Sequence, residues 1–322
     1  MNSNDSSQWS SFWRQGFITT FGASKPNNYD GVVQEFWFSQ FAELPNGARI
    51  LDIATGNGAI ATLAADFSHQ FAKDFVITAT DLAEINDDIS HGSKALEARD
   101  SIRFVSHTPC EQQPFEDNSY DLLTSQFGFE YSDTELTLRE LRRLLVAGGK
   151  FSAISHHEDS GLIHASRNEL EVYQSALDEL DLFGLFRKYL AVAGDLTGSQ
   201  QQFAEAIKRA SPHSRKINEA VELFRQRHPN DECATQIVNA ISHLARNARM
   251  TERKTLLAEV RAAEQEFSFA RARLRDMVEA SLGEEQVRQL KDSAMVAGFD
   301  SVTIGLLHGE DGVLAGWQIE MT

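Results

Sequence analysis

The residues Ile50-Leu51-Asp52-Ile53-Ala54-Thr55-Gly56-Asn57-Gly58 decide the fold expected for this chain. A short apolar run that contains one acid leads into two closely spaced glycines. Apolar side chains then follow at helical spacing: Ile60, Leu63, Ala64 and Phe67. A second apolar run, 75–80, stops at Asp81. A strand, a glycine turn, a helix and a strand with a terminal acid predict the nucleotide-binding half of an open parallel α/β sheet.

The side chains of this stretch indicate what kind of ligand it would bind. Glycines at 56 and 58 let the backbone turn sharply and approach a ligand where a Cβ would collide. Asp81 can accept two hydrogen bonds from a ribose diol. A dinucleotide site expects a third glycine at position 61, where the chain has the tolerated variant Ala61. Asp52 favours another ligand, because a carboxylate facing the pocket would repel a pyrophosphate and would suit a cation.

At this point a family resemblance can be stated. The run 51–58 resembles motif I of the class I S-adenosylmethionine-dependent methyltransferases, and its Ala-Thr-Gly-x-Gly form is similar to that of the ubiquinone/menaquinone-type C-methyltransferases. Their cofactor carries a sulfonium and an ammonium and no phosphate. Similar junctions recur at 125–130, 139–150 and 297–302, so the resemblance covers roughly 45–157 and 284–322. A nicotinamide-dependent dehydrogenase fits less well, because the motifs after the third and fourth strands do not suit it.

The resemblance implies a set of cofactor-binding positions. They are Asp52, Ala54, Gly56, Asn57, Gly58, Asp81, Leu82, Cys110, Glu111, Gln126, Phe127 and Tyr29. Pro109 stands where the family has an acid beside adenine, so adenine would bind through the Cys110 backbone amide, with Glu111 as a substitute acid. Tyr29 is either a core residue or a ring over the sulfonium, where cation–π attraction would favour it.

The cluster His156-His157-Glu158-Asp159 follows the predicted fifth strand and lies at the ligand-binding edge. Three interpretations compete for it. A metal site would need ligands from elsewhere in the chain, so no metal is expected. The cluster is otherwise a surface loop without a role, or it supplies a histidine that accepts a proton. A base matters only if the acceptor is a weakly acidic hydroxyl, amide or carbon, and the candidates are His156, His157 and Glu130.

Three segments are predicted along the chain. Residues 1–45 form an aromatic-rich N-terminal helical cap that breaks at 26–28. Residues 46–159 and 284–322 form a Rossmann-like α/β domain with a doubly wound, mostly parallel seven-stranded sheet whose last strand is antiparallel; a charged helix follows Asp81. Residues 160–283 form a helical insertion of four or five helices, divided at 194, 198–199, 211–212 and 229–230, that would serve as a lid, a substrate contact or an oligomer contact.

Composition limits the partners of the chain. The formal net charge of −17 over 322 residues would repel nucleic acid. One basic run, 246–275, has eight Lys/Arg against four Glu and reads as a solvated helix face. No stretch has the apolar length of a membrane span, and the polar N-terminus lacks signal-peptide character. With two cysteines and no disulfide framework, a cytoplasmic location is expected.

These observations predict an enzyme that transfers a methyl group from S-adenosyl-L-methionine to a small molecule. The acceptor atom is O, N or C, and an aromatic or lipid-like acceptor is expected. One alternative is a protein or RNA methyltransferase that uses the insertion to bind a macromolecule. Another is a non-catalytic binding module with the same fold. A homodimer formed through the insertion is a further expectation.

Overall fold

The computed structural model describes residues 6–22, 27–86 and 99–322. Two helices precede the sheet, α1 (Ser7–Trp13) and α2 (Gly31–Ala42). The first unit of the chain comprises Met1–His164 and Asp276–Thr322, and the second comprises Ala165–Arg275. Most of the charged helix predicted after Asp81 falls on 87–98, which lie outside the described residues.

In the described residues, seven strands form one sheet. They are β1 (Arg49–Ile53), β2 (Val76–Thr80), β3 (Ile102–Val105), β4 (Tyr120–Gln126), β5 (Leu145–Ser155), β6 (Val302–His308) and β7 (Leu314–Met321). Their order is β3-β2-β1-β4-β5-β7-β6. Strands β1 to β5 pair in parallel, and β7 is antiparallel to both β5 and β6. The predicted fold class is confirmed.

The strand order reverses between β1 and β4. In such sheets ligands bind at the carboxyl ends of the strands, where connections on either side of the reversal leave in opposite directions. The ends of β1, β2, β4 and β5 therefore meet at one edge. Nine of the twelve cofactor-binding residues that the resemblance implies lie at the ends of β1, β2 and β4, whereas Tyr29 precedes α2 and Cys110 and Glu111 follow β3.

Helices pack on both faces of the sheet. On one face α2 and α3 (Ala59–Phe71) bury Trp37, Phe41, Ile60 and Leu63 against the strands. On the other face are α4 (Thr134–Leu144) and α10 (Glu284–Ala297), whose buried side chains include Leu138, Leu141, Leu144, Val287 and Leu290. The spacing of apolar residues in 60–67 predicts the buried face of α3, and all four positions are buried.

The junction between α4 and β5 differs from the prediction. The sequence places the helix end at the two glycines 148–149, whereas α4 ends at Leu144 and β5 begins at Leu145. The register explains the difference, since β4 pairs Tyr120 with Leu145 but Leu122 with Lys150. The extra residues bulge out of the strand, and Gly148 adopts the positive φ of 77° that this bulge needs.

The second unit is helical. Its helices are α5 (Gly161–Gln174), α6 (Leu182–Ala193), α7 (Gln200–Arg227), α8 (Glu232–Asn247) and α9 (Arg253–Ala280), with a π-helical turn at Ser175–Glu179; α5 and α9 extend past its borders. The unit has its own core, which includes Phe183, Phe224, Ile237 and Val260. The predicted break at 211–212 is wrong, because Pro212 lies inside α7. One proline removes a single helical hydrogen bond, and packing of Ala206, Ala210 and Phe224 holds the helix on both sides.

None of the helices in the described ranges combines the length and the apolar character that crossing a bilayer requires.

Candidate cofactor-binding and catalytic site

The loop after β1 has an unusual backbone. Ala54, Gly56 and Gly58 all have positive φ, at 49°, 57° and 85°. Glycine adopts this region freely, whereas a non-glycine residue in it costs on the order of 1–3 kcal/mol. The loop is held closed by the Gly58 amide, which donates to the Thr55 carbonyl at 2.9 Å. The sharp turn predicted from the two glycines is therefore present, and Ala54 is its strained residue.

Gly128 brings a second loop against the first. A Cβ added at Gly128 would lie 2.5 Å from the Cβ of Ala54 and 3.0 Å from its carbonyl oxygen. The loops that follow β1 and β4 thus touch at the point where the strand order reverses. Only a residue without a side chain permits this approach.

Asp52 makes different contacts from those predicted. Its side chain is 1% exposed, one carboxylate oxygen accepts from the Thr124 hydroxyl at 2.7 Å, and the other accepts from the Thr55 hydroxyl. Both oxygens thus bind protein groups and hold the loop to β4, and the contact of Asp52 with the cofactor stays a prediction. Burial raises the pKa of Asp52 to about 7, although the two hydroxyl hydrogen bonds lower it.

Asp81 lies at the end of β2 and faces the glycine loop. Its two oxygens accept from the Gly56 and Ala83 amides, each at 2.7 Å. Burial raises the pKa of Asp81 to about 6, and these two hydrogen bonds oppose the shift. Each carboxylate oxygen has a second lone pair, so the group can still accept from a diol. Leu82 follows and is half-buried, with its carbonyl accepting from the Ser6 hydroxyl at 3.3 Å.

The segment expected beside adenine, around Cys110, lies next to the end of β2. The Thr108 amide donates to the Asp81 carbonyl at 2.9 Å. Cys110 is buried, and burial raises the pKa of its thiol. Oε1 of Glu111 accepts from the Asp133 amide at 2.8 Å, just before α4, and the role of Glu111 as a substitute acid stays a prediction. The anionic group stabilises a helix N-terminus in this position.

We expect both thiols to be unreactive in the folded protein. Cys110 and Cys233 are free and buried, and burial raises the pKa of each thiol, that of Cys233 to about 12. Thiolate is the reactive species, so native protein should release almost no chromophore from Ellman's reagent near pH 8, and two equivalents per chain after denaturation. Rapid labelling of one thiol in the native protein would contradict the assignment of Cys110 to a closed site.

The loop after β4 contains the second strained residue. Phe127 has a φ of 53°, which is rare for a bulky side chain, and its amide donates to the Ile154 carbonyl at 2.7 Å. This conformation stacks the Phe127 ring on His156, with 4.4 Å between ring centroids. Gln126 accepts a hydrogen bond from the Trp37 indole at 2.7 Å, while its amide nitrogen has no partner among the described residues.

The structure separates the candidate bases. Nδ1 of His156 lies 2.8 Å from Oε1 of Glu130, and both side chains are almost completely buried. His157 instead stacks on Trp317, with 4.5 Å between centroids, and its Nδ1 accepts from the Asp159 amide at 3.0 Å. Thus His156 and Glu130 form a pair, and His157 packs against β7.

Trp13 is a site residue that sequence reasoning missed. Its ring lies against Gly56, where an added Cβ would collide with the indole. Asn57 ties the same segment down, since its side-chain amide donates to the carbonyls of Trp13 and Phe17 at 2.9 and 2.7 Å. Only the density of aromatic residues in 1–45 hinted at this contact. Gly56 is therefore covered by an indole, in contrast to the open backbone that the motif suggests.

Arg99 is a second unanticipated residue. Its guanidinium donates to the Asn57 carbonyl and, at 2.6 Å, to the Asn86 carbonyl. It also lies 4.1 Å above the Phe104 ring, which contacts Gly58. A buried cation thus supports the glycine loop from the side of β3.

Tyr29 is buried near the N-terminus of α2, and its ring lies 6.2 Å from that of Phe21. Burial raises the pKa of its phenol, and the nearby charge of Asp52 raises it further. The phenol therefore stays neutral and lies within electrostatic reach of the motif I acid. Its contact with a sulfonium stays a prediction.

Several buried polar atoms at this edge have no partner among the described residues. They are the Thr80 hydroxyl at the end of β2, the Gln126 amide nitrogen at the end of β4, the Ser155 hydroxyl at the end of β5, and Oε2 of Glu130. Buried polar atoms are normally hydrogen-bonded. Their convergence on the ends of β2, β4 and β5 fits a polar ligand at this edge.

Sheet order, glycine loop and terminal acid together define a Rossmann-like nucleotide-binding fold. Residues 30–181 match the ubiE/COQ5 methyltransferase family. The chain is 30% identical over 167 residues to the ubiquinone/menaquinone biosynthesis C-methyltransferase UbiE of Idiomarina loihiensis, and the match covers 50% of this chain and 60% of that protein. It is 33% identical over 125 residues to UbiE of Shewanella sp. strain ANA-3, covering 37% and 47%.

Among solved structures, a SAM dependent methyltransferase from Aquifex aeolicus aligns with a TM-score of 0.31 and 19% identity over 39% of this chain and 65% of that one. The sequence matches and the sheet topology agree on one class. That class is the class I S-adenosylmethionine-dependent methyltransferases, which the matched part of the chain resembles. The matches span about half to three fifths of the length of these UbiE relatives.

Proposed function

We propose that this protein transfers a methyl group from S-adenosyl-L-methionine to a small aromatic or lipid-like molecule. The observation that carries the proposal is the convergence of orphaned polar atoms on the strand ends beside the strained motif I loop. When bound, the cofactor supplies an electrophilic methyl group on a sulfonium. Asp81 would hold its ribose, and the backbone of 56–58 would lie beside its amino-acid end.

Charge at the site supports a cationic ligand. Burial raises the pKa values of Asp52 and Asp81, and the nearby charge of Asp81 raises that of Asp52 further. A positive ligand would favour the ionised form of both carboxylates, whereas a pyrophosphate would oppose it. The acid pair therefore suits the sulfonium and ammonium of the proposed cofactor better than a dinucleotide.

Aromatic side chains surround the same edge. Trp13 stacks on Trp9, Trp9 meets Tyr131 edge-on at 5.7 Å between centroids, and Tyr131 meets the ring of His156 at 5.9 Å. Phe127 stacks on the His156 ring and completes the series. Such walls favour a planar apolar acceptor. The UbiE relatives are named for the biosynthesis of quinones, and a quinol-like ring would fit these walls.

Calorimetry with S-adenosylhomocysteine tests the cofactor. We expect saturable binding to the full chain, with NAD giving no heat under the same conditions. Mass spectrometry of the freshly purified protein should also detect a co-purified adenosyl thioether or sulfonium. Binding of NAD in preference to S-adenosylhomocysteine would overturn the proposal, and binding without turnover of any acceptor would favour the non-catalytic alternative.

Replacing Asp81 by alanine should weaken S-adenosylhomocysteine binding by about 5- to 30-fold. The diol would lose its acceptor, and one such interaction contributes about 1–2 kcal/mol. Isothermal titration calorimetry on both proteins measures the change. Glu116→Ala, which removes an exposed carboxylate, is the control and should bind like the wild type. Equal affinity of the two variants would remove Asp81 from the site.

Three further expectations are carried as proposals. The reducing cytoplasm suits a chain whose two cysteines are free and buried. The helical insertion 160–283 would act as a lid, a substrate contact or a dimer contact, and light scattering of the purified chain decides whether it dimerises. The alternative of a macromolecular substrate draws little support from the basic run, since Arg271 pairs with Asp178 at 2.7 Å and Arg249 lies over Phe203.

A further inference from the structure

The pair formed by His156 and Glu130 has the geometry of a proton acceptor held by a positioning carboxylate. We propose that Nε2 of His156 takes the proton that the methyl acceptor loses, and that Glu130 fixes the ring for this task. The inference rests on the proposed methyl transfer and deepens it. It also defines the acceptor as a molecule that must give up a proton when it is methylated.

Hydrogen bonding determines which nitrogen is free. Oε1 of Glu130 lies 2.8 Å from Nδ1 of His156 and accepts from the His156 backbone amide at the same distance. A carboxylate oxygen only accepts, so Nδ1 must carry the hydrogen. The lone pair of the neutral ring is then on Nε2. None of the described residues forms a hydrogen bond with Nε2, so this lone pair is not used within the fold.

Packing fixes the plane of the ring. Phe127 stacks on one face, and Tyr131 approaches edge-on. The strained backbone of Phe127 is what puts its ring there. Strain of this kind is retained where a structure requires one orientation, and it is found most often at functional sites. The stacking therefore acts on the same imidazole that Glu130 orients.

Burial of the Glu130 carboxylate costs free energy, and a functional role accounts for its retention. Its side chain is completely buried, and Oε2 has no partner among the described residues. A buried carboxylate beside an imidazole stabilises the imidazolium, as charge-assisted hydrogen bonds are stronger than neutral ones. If the pair had only a structural role, a donor to Oε2 would stabilise the folded protein further.

The proton transfer balances as follows. A hydroxyl group, or a ring carbon activated by one, forms a bond to the methyl carbon while the carbon–sulfur bond breaks and its electron pair stays on sulfur. The acceptor loses one proton in the same process, and this proton goes to Nε2 of His156. The resulting imidazolium is paired with Glu130 and then returns the proton to water. A tertiary amine has no proton to lose and would gain nothing from the pair.

The surroundings contain few other groups that could titrate with His156. Glu130 and Tyr131 face it from the loop after β4; Cys110 acts on Glu130, and Asp276 acts on Tyr131. Burial raises the pKa of both Cys110 and Tyr131, so both stay neutral near pH 7. Asp276 accepts from Gln8 and from the Trp9 indole. Asp52 and Asp81 also titrate on acidification, because burial raises the pKa of each, so the difference in pH dependence between the wild type and His156→Gln reports on the pair.

The first test needs no acceptor. Nitrogen-15 spectra of the histidine-labelled full chain, with His156→Gln used to assign the signal, give the tautomer of His156 with S-adenosylhomocysteine bound. We expect protonated Nδ1 and unprotonated Nε2 at neutral pH, and a mixture of tautomers in Glu130→Gln. A hydrogen on Nε2 in the wild type would overturn the proposal, because that nitrogen could not accept a proton.

The second test uses 1,4-naphthalenediol as the acceptor and N,N-dimethylaniline as an acceptor without a proton to lose. His156→Gln should lower kcat for the diol by about 100-fold, the usual size of general-base catalysis, and Glu130→Gln by about 10-fold. Affinity for S-adenosylhomocysteine should change less than twofold in both variants. The wild-type kcat should fall on acidification, and kcat of His156→Gln should fall less, because only the contribution of Asp52 and Asp81 remains. His164→Gln, at an exposed position, is the matched control.

The outcomes separate the two proposals. Wild-type protein that does not bind S-adenosylhomocysteine would contradict the proposed function itself. Protein that binds it but methylates the diol equally well with and without His156 contradicts only the proton-acceptor role. Methylation of the aniline alone, or of neither probe, overturns the assignment of a proton-losing acceptor. Partial rescue of His156→Ala by added imidazole would support the role, because a folding defect would not respond to it.

Discussion

Replacing Gly128 by alanine is expected to destabilise the sheet unit by about 3 kcal/mol and to abolish cofactor binding. The added Cβ would lie 2.5 Å from the Cβ of Ala54 and 3.0 Å from its carbonyl oxygen. Neither atom belongs to a flexible side-chain end, so the loops after β1 and β4 would have to separate. Overpacking of this kind typically costs 1–3 kcal/mol, and rigid neighbours place it at the upper end.

Denaturant unfolding followed by tryptophan fluorescence measures this loss. All four tryptophans, at positions 9, 13, 37 and 317, lie in the sheet unit, so their emission reports on that unit alone. Gly305→Ala in β6 is the matched control, because a Cβ there would meet no atom within 4 Å. The free energy of unfolding of Gly305→Ala should stay within a few tenths of a kcal/mol of the wild-type value.

A second substitution should restore the stability of the Gly128→Ala variant. Ala54→Gly removes the Cβ that the new side chain meets, and it also relieves a positive φ at position 54. The double variant should recover most of the lost stability. Additive effects of the two changes would show that the loops do not meet as described, since residues in contact couple and distant ones do not.

Replacing Asp52 by asparagine should reduce the loss of stability that the wild type shows between pH 5 and pH 8. Burial raises the pKa of Asp52 from 3.8 to about 7, so the folded protein keeps a proton that the unfolded chain has already lost. Stability therefore falls as pH rises from about 4 to about 7. At about 1.4 kcal/mol for each unit, the change between pH 5 and pH 8 is at most about 3 kcal/mol.

The measurement is the difference between the two unfolding free energies at each pH. The charges other than Asp52 are present in both proteins, so their direct contributions cancel in the difference, whereas the repulsion between Asp52 and Asp81 is removed by the substitution and belongs to the difference. As pH rises, the unfolding free energy of the Asp52→Asn variant should increase relative to that of the wild type. This difference should level off above pH 8. A difference that does not change with pH would contradict the protonated state of Asp52.

Local sequence patterns were sufficient to predict the strands, the helix and the turn around the site. Residues 60–67 carry apolar side chains at helical spacing, and the run 75–80 ends at an acid, so each element could be identified from its own residues. Asp81 was placed correctly beside the glycine loop for this reason. The strand after α4 was misplaced because its start depends on a bulge in the pairing with β4, which local composition does not reveal.

Side-chain partners could not be predicted in this way. Glu111 binds the Asp133 amide, and Asp52 binds the Thr124 hydroxyl, partners that lie 22 and 72 residues away. Trp13 covers Gly56 from a segment that reads only as an aromatic leader. Pro212 has the signature of a break and still lies within a helix, because packing on either side overrides one missing hydrogen bond.

The amino-acid sequence by itself determined the class of fold, the motif I turn and the edge at which a ligand would bind, since these follow from periodicity and from the unique freedom of glycine. Only the tertiary structure decided that Glu130 pairs with His156 and that His157 packs on Trp317. Neighbouring histidines are equivalent in sequence, but successive residues of an extended chain point to opposite sides of the sheet. Burial of one of them beside a carboxylate then makes it the candidate base.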